Sequence, residues 1–116
     1  MIITLESLRH VVLETLDKIG VDAESAEVVL DTILFANQRG VATHGIGRLP
    51  LYVNKIKSGH YNPTNQVEII MDSGAVALLD AHNGFGQVAA NMATEVGINK
   101  AKAHGVSAVG VRNSNN

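Results

Sequence analysis

The chain contains no cysteine and no tryptophan, and its aromatic side chains are limited to two phenylalanines and two tyrosines. The absence of cysteine excludes disulfide bonds, thiolate nucleophiles and zinc–cysteine sites, and it fits a reducing compartment. Close to half of the 116 residues are nevertheless apolar, which is enough for a globular core within the size range of one domain.

Strong charge and long apolar runs are also missing. Nine basic and eleven acidic residues give a formal net charge of −2, so no basic field favours nucleic acid. No apolar run approaches the roughly 20 residues that a membrane-spanning helix needs. The first residues, "MIITLESLRH", lack the basic start and apolar stretch of a secretory signal. We therefore predict a cytoplasmic protein with neither nucleic acid nor membrane as partner.

Apolar residues recur at helical spacing through the first half of the chain. The pattern predicts a helix over residues 5–19 after an N-cap at Thr4, and a second helix after Asp22 that extends to residue 38. A third helix is predicted over residues 46–57. Pro50 favours a start only shortly before it, because proline is tolerated in the first helical turn and disruptive later.

The period changes after residue 60. Residues 67–71 and 76–80 read as short strands, residues 87–103 as a helix, and residues 106–111 as a buried strand. Helices first and β–α–β afterwards indicate an α/β protein with two parts. We assign residues 1–60 to a helical N-terminal subdomain and residues 61–116 to the first part of an α/β domain.

The segment "GVATHGIGRLPLY", residues 40–52, carries the most informative polar residues. On one helix, His44, Arg48 and Tyr52 would lie within about 80° of arc and share a face. Imidazole exchanges protons near neutral pH, guanidinium grips carboxylates, and a phenol donates a hydrogen bond. Gly45 and Gly47 would let a ligand approach the backbone. By spacing alone, a helix start with solvated polar side chains is the favoured explanation.

A second motif, "GFGQVA" at residues 84–89, matches G-x-G-x-x-A between a strand and a helix. A dinucleotide fingerprint requires an acidic residue at the end of the next strand, but that strand ends at Arg112. A structural turn is therefore favoured, although an arginine there could serve a 2′-phosphate. The other histidines lack metal-site spacing, so we expect no metal.

The order of three segments identifies the sequence as similar to a known family. "ANQRGVATHGIGRLPLYVNKIKSG", "DAHNGFGQVAANMA" and "AKAHGVSAVGVRNSN" resemble, in matching order, the N-terminal third of the malate/L-lactate dehydrogenase family. This NAD(P)-dependent group is unrelated to Rossmann-type lactate and malate dehydrogenases, and it includes sulfolactate and ureidoglycolate dehydrogenases. The resemblance covers nearly the whole chain.

The resemblance implies a fold, a cofactor and a set of site residues. The fold is an α/β/α sandwich around a mixed sheet, preceded by a helical subdomain. The cofactor is NAD or NADP, held mostly by later segments, so cofactor-binding residues in this chain are unknown. His44 becomes the candidate proton donor, Arg48 the clamp for a substrate carboxylate and Tyr52 a supporting hydrogen-bond donor. Members are typically homodimers, with the active site near the subunit interface.

One departure from the family pattern lies at the last residue. The family commonly continues as N-S-N-H, and its histidine is a leading acid/base candidate, whereas this chain has Asn116 at that position. Asparagine can hydrogen-bond a substrate hydroxyl but cannot exchange its proton at neutral pH. Asn116 is therefore predicted to bind substrate. Either His44 carries the proton alone, or the roles are divided differently, or the activity is lost.

The resemblance implies an NAD(P)-dependent oxidoreductase that interconverts a small 2-hydroxy acid, such as malate or lactate, and its 2-keto acid. The alternative is a non-catalytic fragment or dimerisation module of such an enzyme, inactive without a missing C-terminal part. A chain that ends in turn residues directly after a strand is expected to be the N-terminal portion of a longer protein.

Overall fold

The computed structural model describes residues 2–115. Its contacts divide the chain into two compact units, with the division between Thr64 and Asn65. We call the part before the division the helical unit and the part after it the sheet unit. None of the described helices is both long enough and apolar enough to cross a membrane.

The helical unit begins with α1 (Leu5–Lys18) and α2 (Ala23–Gln38). Both N-caps lie where the sequence predicts them: Thr4 accepts a hydrogen bond from Ser7 N–H, and the Asp22 carboxylate accepts one from Ser25 N–H. Each cap satisfies a backbone donor that a helix start leaves without an intrahelical partner. Capping therefore fixes where both helices begin.

The apolar faces of α1 and α2 form the core of the helical unit. The fully buried apolar side chains of these helices are Val12, Leu16, Val29, Leu30 and Ile33. The buried face of α1 does not include the first residue of the helix, because Leu5 is 50% exposed.

The third helix is shorter than predicted. The sequence indicates a helix over residues 46–57, but α3 spans Leu49–Lys57, and Ile46–Arg48 forms a separate 3-10 turn. Pro50 lies in the first turn of α3, as its missing N–H and fixed φ predict. An extended backbone at Gly45, with φ −89° and ψ −148°, keeps the helix from reaching further back.

The sheet unit is a three-stranded mixed sheet with one helix. Its elements are β1 (Glu68–Ser73), β2 (Val76–Asp80), α4 (Gly86–His104) and β3 (Ala108–Arg112). The strand order is β1-β2-β3; β1 pairs with β2 antiparallel, and β2 pairs with β3 parallel through the α4 crossover. The predicted α/β class with a mixed sheet is confirmed.

The prediction that the last strand is buried was wrong. Along β3, exposed and half-buried residues alternate, because the strand lies at a sheet edge and α4 packs on one of its faces. A Cβ added at Gly97 of α4 would lie 3.6 Å from Val109 Cγ2, which places Val109 on the helix-covered face. Strand β1 at the other edge is exposed along its whole length.

Candidate active site

Two of the predicted site residues, His44 and Arg48, lie on two successive 3-10 turns that follow α2. The first turn is Ala42–His44, the second is Ile46–Arg48, and Gly45 joins them. Gly45 N–H donates to the Ala42 carbonyl at 3.3 Å, and the Gly45 carbonyl accepts from Arg48 N–H at 3.0 Å. We call Ala42–Arg48 the double turn. It places His44 and Arg48 at the ends of neighbouring turns.

His44 is exposed on the double turn. Its Nδ1 lies 2.9 Å from Thr43 Oγ1, and the two atoms share a hydrogen bond whose direction depends on the imidazole tautomer. That bond fixes one ring nitrogen, so Nε2 is the atom that can meet a ligand. An exposed imidazole held by one nitrogen can exchange a proton through the other.

Arg48 is half-buried and folds back over the double turn. Its Nε donates to the Thr43 carbonyl at 3.0 Å, which orients the guanidinium plane with respect to His44's own turn. The guanidinium also acts on Tyr61: burial first, and then the nearby Tyr52, raise the pKa of Tyr61, and the Arg48 charge opposes that rise. The two terminal nitrogens of Arg48 retain the fork geometry that suits a carboxylate.

The position of Tyr52 differs from the predicted one. It belongs to α3 and is only 3% exposed, and its ring centroid lies 6.3 Å from that of Tyr61. The expected single helical face with His44, Arg48 and Tyr52 was wrong, because the backbone at Gly45 interrupts the helix. The ring of Tyr52 is a core contact, and its role as a hydrogen-bond donor to substrate stays a prediction.

The predicted substrate contact at Asn116 lies outside the described residues. The preceding residue, Asn115, is tied to the loop after β2: its side-chain Nδ2 donates to the Asn83 carbonyl at 2.6 Å. Its backbone N–H donates to the Gly84 carbonyl at 3.1 Å. The run that follows β3 is thus bonded to the loop that follows β2.

A carboxylate that the sequence reasoning missed lies where β2 and β3 end. Asp80 is 4% exposed, and it accepts hydrogen bonds from His82 N–H at 2.9 Å and from Arg112 Nε at 2.7 Å. Asn113 Nδ2 contributes further bonds at 3.1 and 3.0 Å. These donors, the His82 N–H first and then Arg112 and Asn113, lower the pKa of Asp80 from 3.8 to about 2.

The glycine motif at residues 84–89 also bonds to the run that follows β3. Gly86 N–H donates to the Asn115 carbonyl at 2.6 Å, and a Cβ at Gly86 would lie 2.6 Å from that oxygen. The third residue of the motif is therefore glycine because the backbone after β3 approaches it closely. Gly86 N–H is thus already bonded to the Asn115 carbonyl, and the charge of Arg112 is already paired with the carboxylate of Asp80. Both contacts favour a structural turn over a dinucleotide site.

The sequence profile of the malate/L-lactate dehydrogenase family matches residues 3–116. The chain belongs to this family. L-sulfolactate dehydrogenase from Methanocaldococcus jannaschii is 38% identical over 115 residues, which are 99% of this chain and 33% of that protein. Malate dehydrogenase from Pyrococcus abyssi is 40% identical over 110 residues, 95% of this chain and 30% of that one. The chain thus spans about a third of the length of these relatives.

Solved structures of the family agree with the fold. Malate dehydrogenase from Pyrococcus horikoshii matches with a TM-score of 0.94 at 35% identity, over 100% of this chain and 33% of that one. Sulfolactate dehydrogenase from Methanocaldococcus jannaschii matches with a TM-score of 0.94 at 38% identity, over 99% and 33%. The relatives by name are hydroxycarboxylate dehydrogenases, as the sequence resemblance implies.

In this family member, His44 and Arg48 lie at the ends of neighbouring 3-10 turns, and Tyr52 is buried on α3. The interpretation of Gly45 as a place for ligand approach was wrong, because a side chain of the protein itself occupies that space. The side chain is Asn37, whose Oδ1 accepts a hydrogen bond from Ile46 N–H at 3.2 Å. The glycine at position 45 was the only signal in the sequence. It indicates that another group lies close to the backbone, but it does not identify that group as Asn37.

Three of the other histidines contact polar side chains of the same unit. His82 Nε2 lies 2.8 Å from Glu68 Oε1, His10 Nε2 lies 3.4 Å from Glu14 Oε2, and His60 Nδ1 lies 2.7 Å from Ser58 Oγ. Within residues 2–115, no three histidine or carboxylate side chains are grouped so that they could hold a metal ion.

Proposed function

We propose that the protein carrying this segment is an NAD(P)-dependent oxidoreductase that interconverts a small 2-hydroxy acid, malate-like or lactate-like, and its 2-keto acid. The observation that carries the proposal is the double turn, which presents the imidazole of His44 and the guanidinium of Arg48 from neighbouring turns. Family membership supplies the reaction class, and these two side chains supply the groups that a hydroxy acid requires.

The two side chains have complementary roles. Arg48 binds the substrate carboxylate through its terminal nitrogens, while its Nε stays on the Thr43 carbonyl. His44 takes the proton of the substrate hydroxyl at Nε2 in the oxidation and returns it in the reduction. Asn116 hydrogen-bonds the substrate oxygen without exchanging a proton, and Tyr52 supports the site from α3. Under this proposal His44 carries the acid/base role without the family's second histidine.

NAD or NADP supplies the hydride chemistry of such an enzyme. The described residues that resemble a dinucleotide site are engaged in structural contacts, because Gly86 N–H bonds Asn115 and Arg112 bonds Asp80. We therefore assign the cofactor to parts of the protein outside this segment. A homodimer in the cytoplasm and a small carboxylate substrate complete the proposal.

Substitution of Arg48 tests the proposal directly. In the full-length protein, Arg48→Ala is expected to raise KM for the 2-hydroxy acid roughly 10- to 100-fold, the value of a charge-assisted hydrogen bond pair. Arg48→Lys should recover part of this loss, since lysine keeps the charge without the fork. KM for the cofactor should not change. Steady-state kinetics with malate, lactate and sulfolactate measure the KM values for substrate and cofactor in the wild type and both variants.

The matched control is Arg9→Ala. Arg9 lies on α1 of the same unit and pairs with Glu27 on the surface at 2.6 Å. Its removal should leave both KM values unchanged. Unaltered kinetics of Arg48→Ala with every carboxylate substrate tested would contradict the proposed role of the double turn.

The alternative is a non-catalytic fragment or a dimerisation module of such an enzyme. The exposure of β1 along its whole length favours it, because an uncovered edge strand can pair with another chain. Activity that depends on a second polypeptide would support the alternative. Cofactor binding by the 116 residues alone would count against it.

A further inference from the structure

The double turn is braced from α2 by one side chain. Asn37, in the last turn of α2, is half-buried, and its Oδ1 accepts a hydrogen bond from Ile46 N–H at 3.2 Å. Ile46 directly follows Gly45, the residue that joins the two 3-10 turns. The bond therefore holds the peptide group at the junction between His44 and Arg48.

The Asn37 side chain also lies directly against the backbone of Gly45. A Cβ built on Gly45 would lie 1.6 Å from Asn37 Oδ1 and 2.7 Å from Asn37 Cγ, so the amide fills the space that any other residue's side chain would need. The φ of Gly45 is −89°, outside the left-handed region that favours glycine. Glycine is thus required at this position by the approach of Asn37 and not by the sign of φ.

We propose that Asn37 is a positioning residue, which sets the placement of His44 and Arg48 through the double turn. The proposal rests on the proposed function. The N–H of Arg48 donates to the Gly45 carbonyl of the braced peptide group at 3.0 Å. The Nε of Arg48 also donates to the Thr43 carbonyl of the preceding turn at 3.0 Å. Displacement of the junction would therefore move the guanidinium and the imidazole together.

The consequence for catalysis follows from the tolerance of reacting geometry. A misplacement of about 1 Å can reduce a rate by about 100-fold. The acceptor oxygen is the essential feature of Asn37, so Asn37→Asp keeps the bond to Ile46 N–H, whereas Asn37→Ala removes it. Aspartate adds a negative charge near the helix C-terminus, which is unfavourable but does not remove the acceptor.

The first test is steady-state kinetics of the full-length enzyme. Asn37→Ala is expected to lower kcat/KM for the 2-hydroxy acid by roughly 10- to 100-fold, with KM for the cofactor unchanged. Asn37→Asp should lose less. The control Asn54→Ala removes an exposed asparagine from α3 of the same unit, and it should behave like the wild type. Equal kcat/KM per folded molecule in Asn37→Ala and wild type would overturn the proposal.

The second test does not depend on activity. Hydrogen exchange at the Ile46 amide should be faster in Asn37→Ala than in the wild type and in Asn37→Asp, with the exchange of α1 amides unchanged. If the full-length wild type oxidises no 2-hydroxy acid, the proposed function fails while this exchange still reports the brace. Uniformly faster exchange across α1 and α2 would show a merely structural role and overturn the positioning role.

A double substitution tests the steric part. Gly45→Ala alone forces the new Cβ onto the Asn37 amide, but in combination with Asn37→Ala that obstacle is gone. We expect kcat/KM of the double variant to equal that of Asn37→Ala alone, because residues in contact do not act additively. Losses that multiply would show that the two residues act independently and would overturn the brace.

Discussion

At the scale of single residues, the carboxylate of Asp80 links the ends of two strands. Asp80 and Arg112 are 32 positions apart in the sequence but are partners in the parallel register of β2 and β3. Asn113, in the left-handed region with φ 53°, turns its amide to the same carboxylate. The charge of Arg112 thereby compensates a buried charge, which would be costly without a partner.

The depressed pKa of Asp80 predicts a pH dependence of stability. Because its folded-state pKa is about 2, below the ordinary 3.8, ionised Asp80 stabilises the fold above about pH 4, and this contribution is lost as the pH falls towards about 2. Asp80→Asn should therefore lower the melting temperature at pH 6, and the difference from wild type should shrink at about pH 2.

The comparison needs a carboxylate without such partners. Asp31 is exposed on α2, so Asp31→Asn should match the wild type at both pH values. Calorimetric melting curves at the two pH values measure the effect. A pH-independent difference between Asp80→Asn and wild type would contradict the assigned ion pair.

At the scale of elements, helix starts follow from short local patterns. Asp22 caps α2 by accepting from Ser25 N–H at 3.0 Å, and Thr4 caps α1 in the same way at 3.1 Å. A cap involves residues three positions apart, so its geometry needs little help from the rest of the fold. The third helix lacks a side-chain cap and begins instead with Pro50 in its first turn.

Removal of the α2 cap should lower stability by a predictable amount. Asp22→Ala is expected to reduce the free energy of unfolding by about 1 kcal/mol, because Ser25 N–H loses its acceptor. Asp22→Asn keeps an acceptor and should lose less. Asp31→Ala, in the middle of the same helix, should be neutral or slightly stabilising because alanine is the better helix former. Urea denaturation followed by circular dichroism compares the variants.

At the scale of the whole molecule, we propose that this chain contributes substrate-binding groups and that the cofactor is held by parts of the protein outside it. The described sheet has three strands, its β1 edge is exposed, and the chain spans about a third of its curated relatives. These observations are consistent with the proposal that the hydride chemistry requires the full-length protein.

Cofactor binding tests whether the nicotinamide site lies within these 116 residues. The 116-residue chain alone is expected not to bind NADH or NADPH, because Gly86 N–H and Arg112 are engaged by Asn115 and Asp80. The full-length protein is expected to bind one of them. Quenching of reduced-nicotinamide fluorescence measures both, after circular dichroism has shown that the short chain is folded. Equal affinities would move the cofactor site into this segment.

The sequence by itself determined the helix caps, the α/β class and the family. Apolar period, capping residues and turn glycines express conformational preferences over three to five neighbouring residues, and these preferences persist in most surroundings. The predicted strand over residues 76–80 coincides with β2 (Val76–Asp80) for this reason. His44 and Arg48 could be selected as candidate site residues because the chemistry of imidazole and guanidinium follows from residue identity alone.

Tertiary structure alone decided what those residues contact. The bond from Ile46 to Asn37 joins residues nine positions apart, and that from Arg112 to Asp80 joins residues 32 positions apart. The first bond depends on how α2 ends, and the second depends on the register of β2 and β3. Neither follows from the conformational preferences of neighbouring residues. Tyr52 became a core residue because the double turn interrupts the helix that would have aligned it with His44. Spacing predicts a shared face only where the helix is continuous.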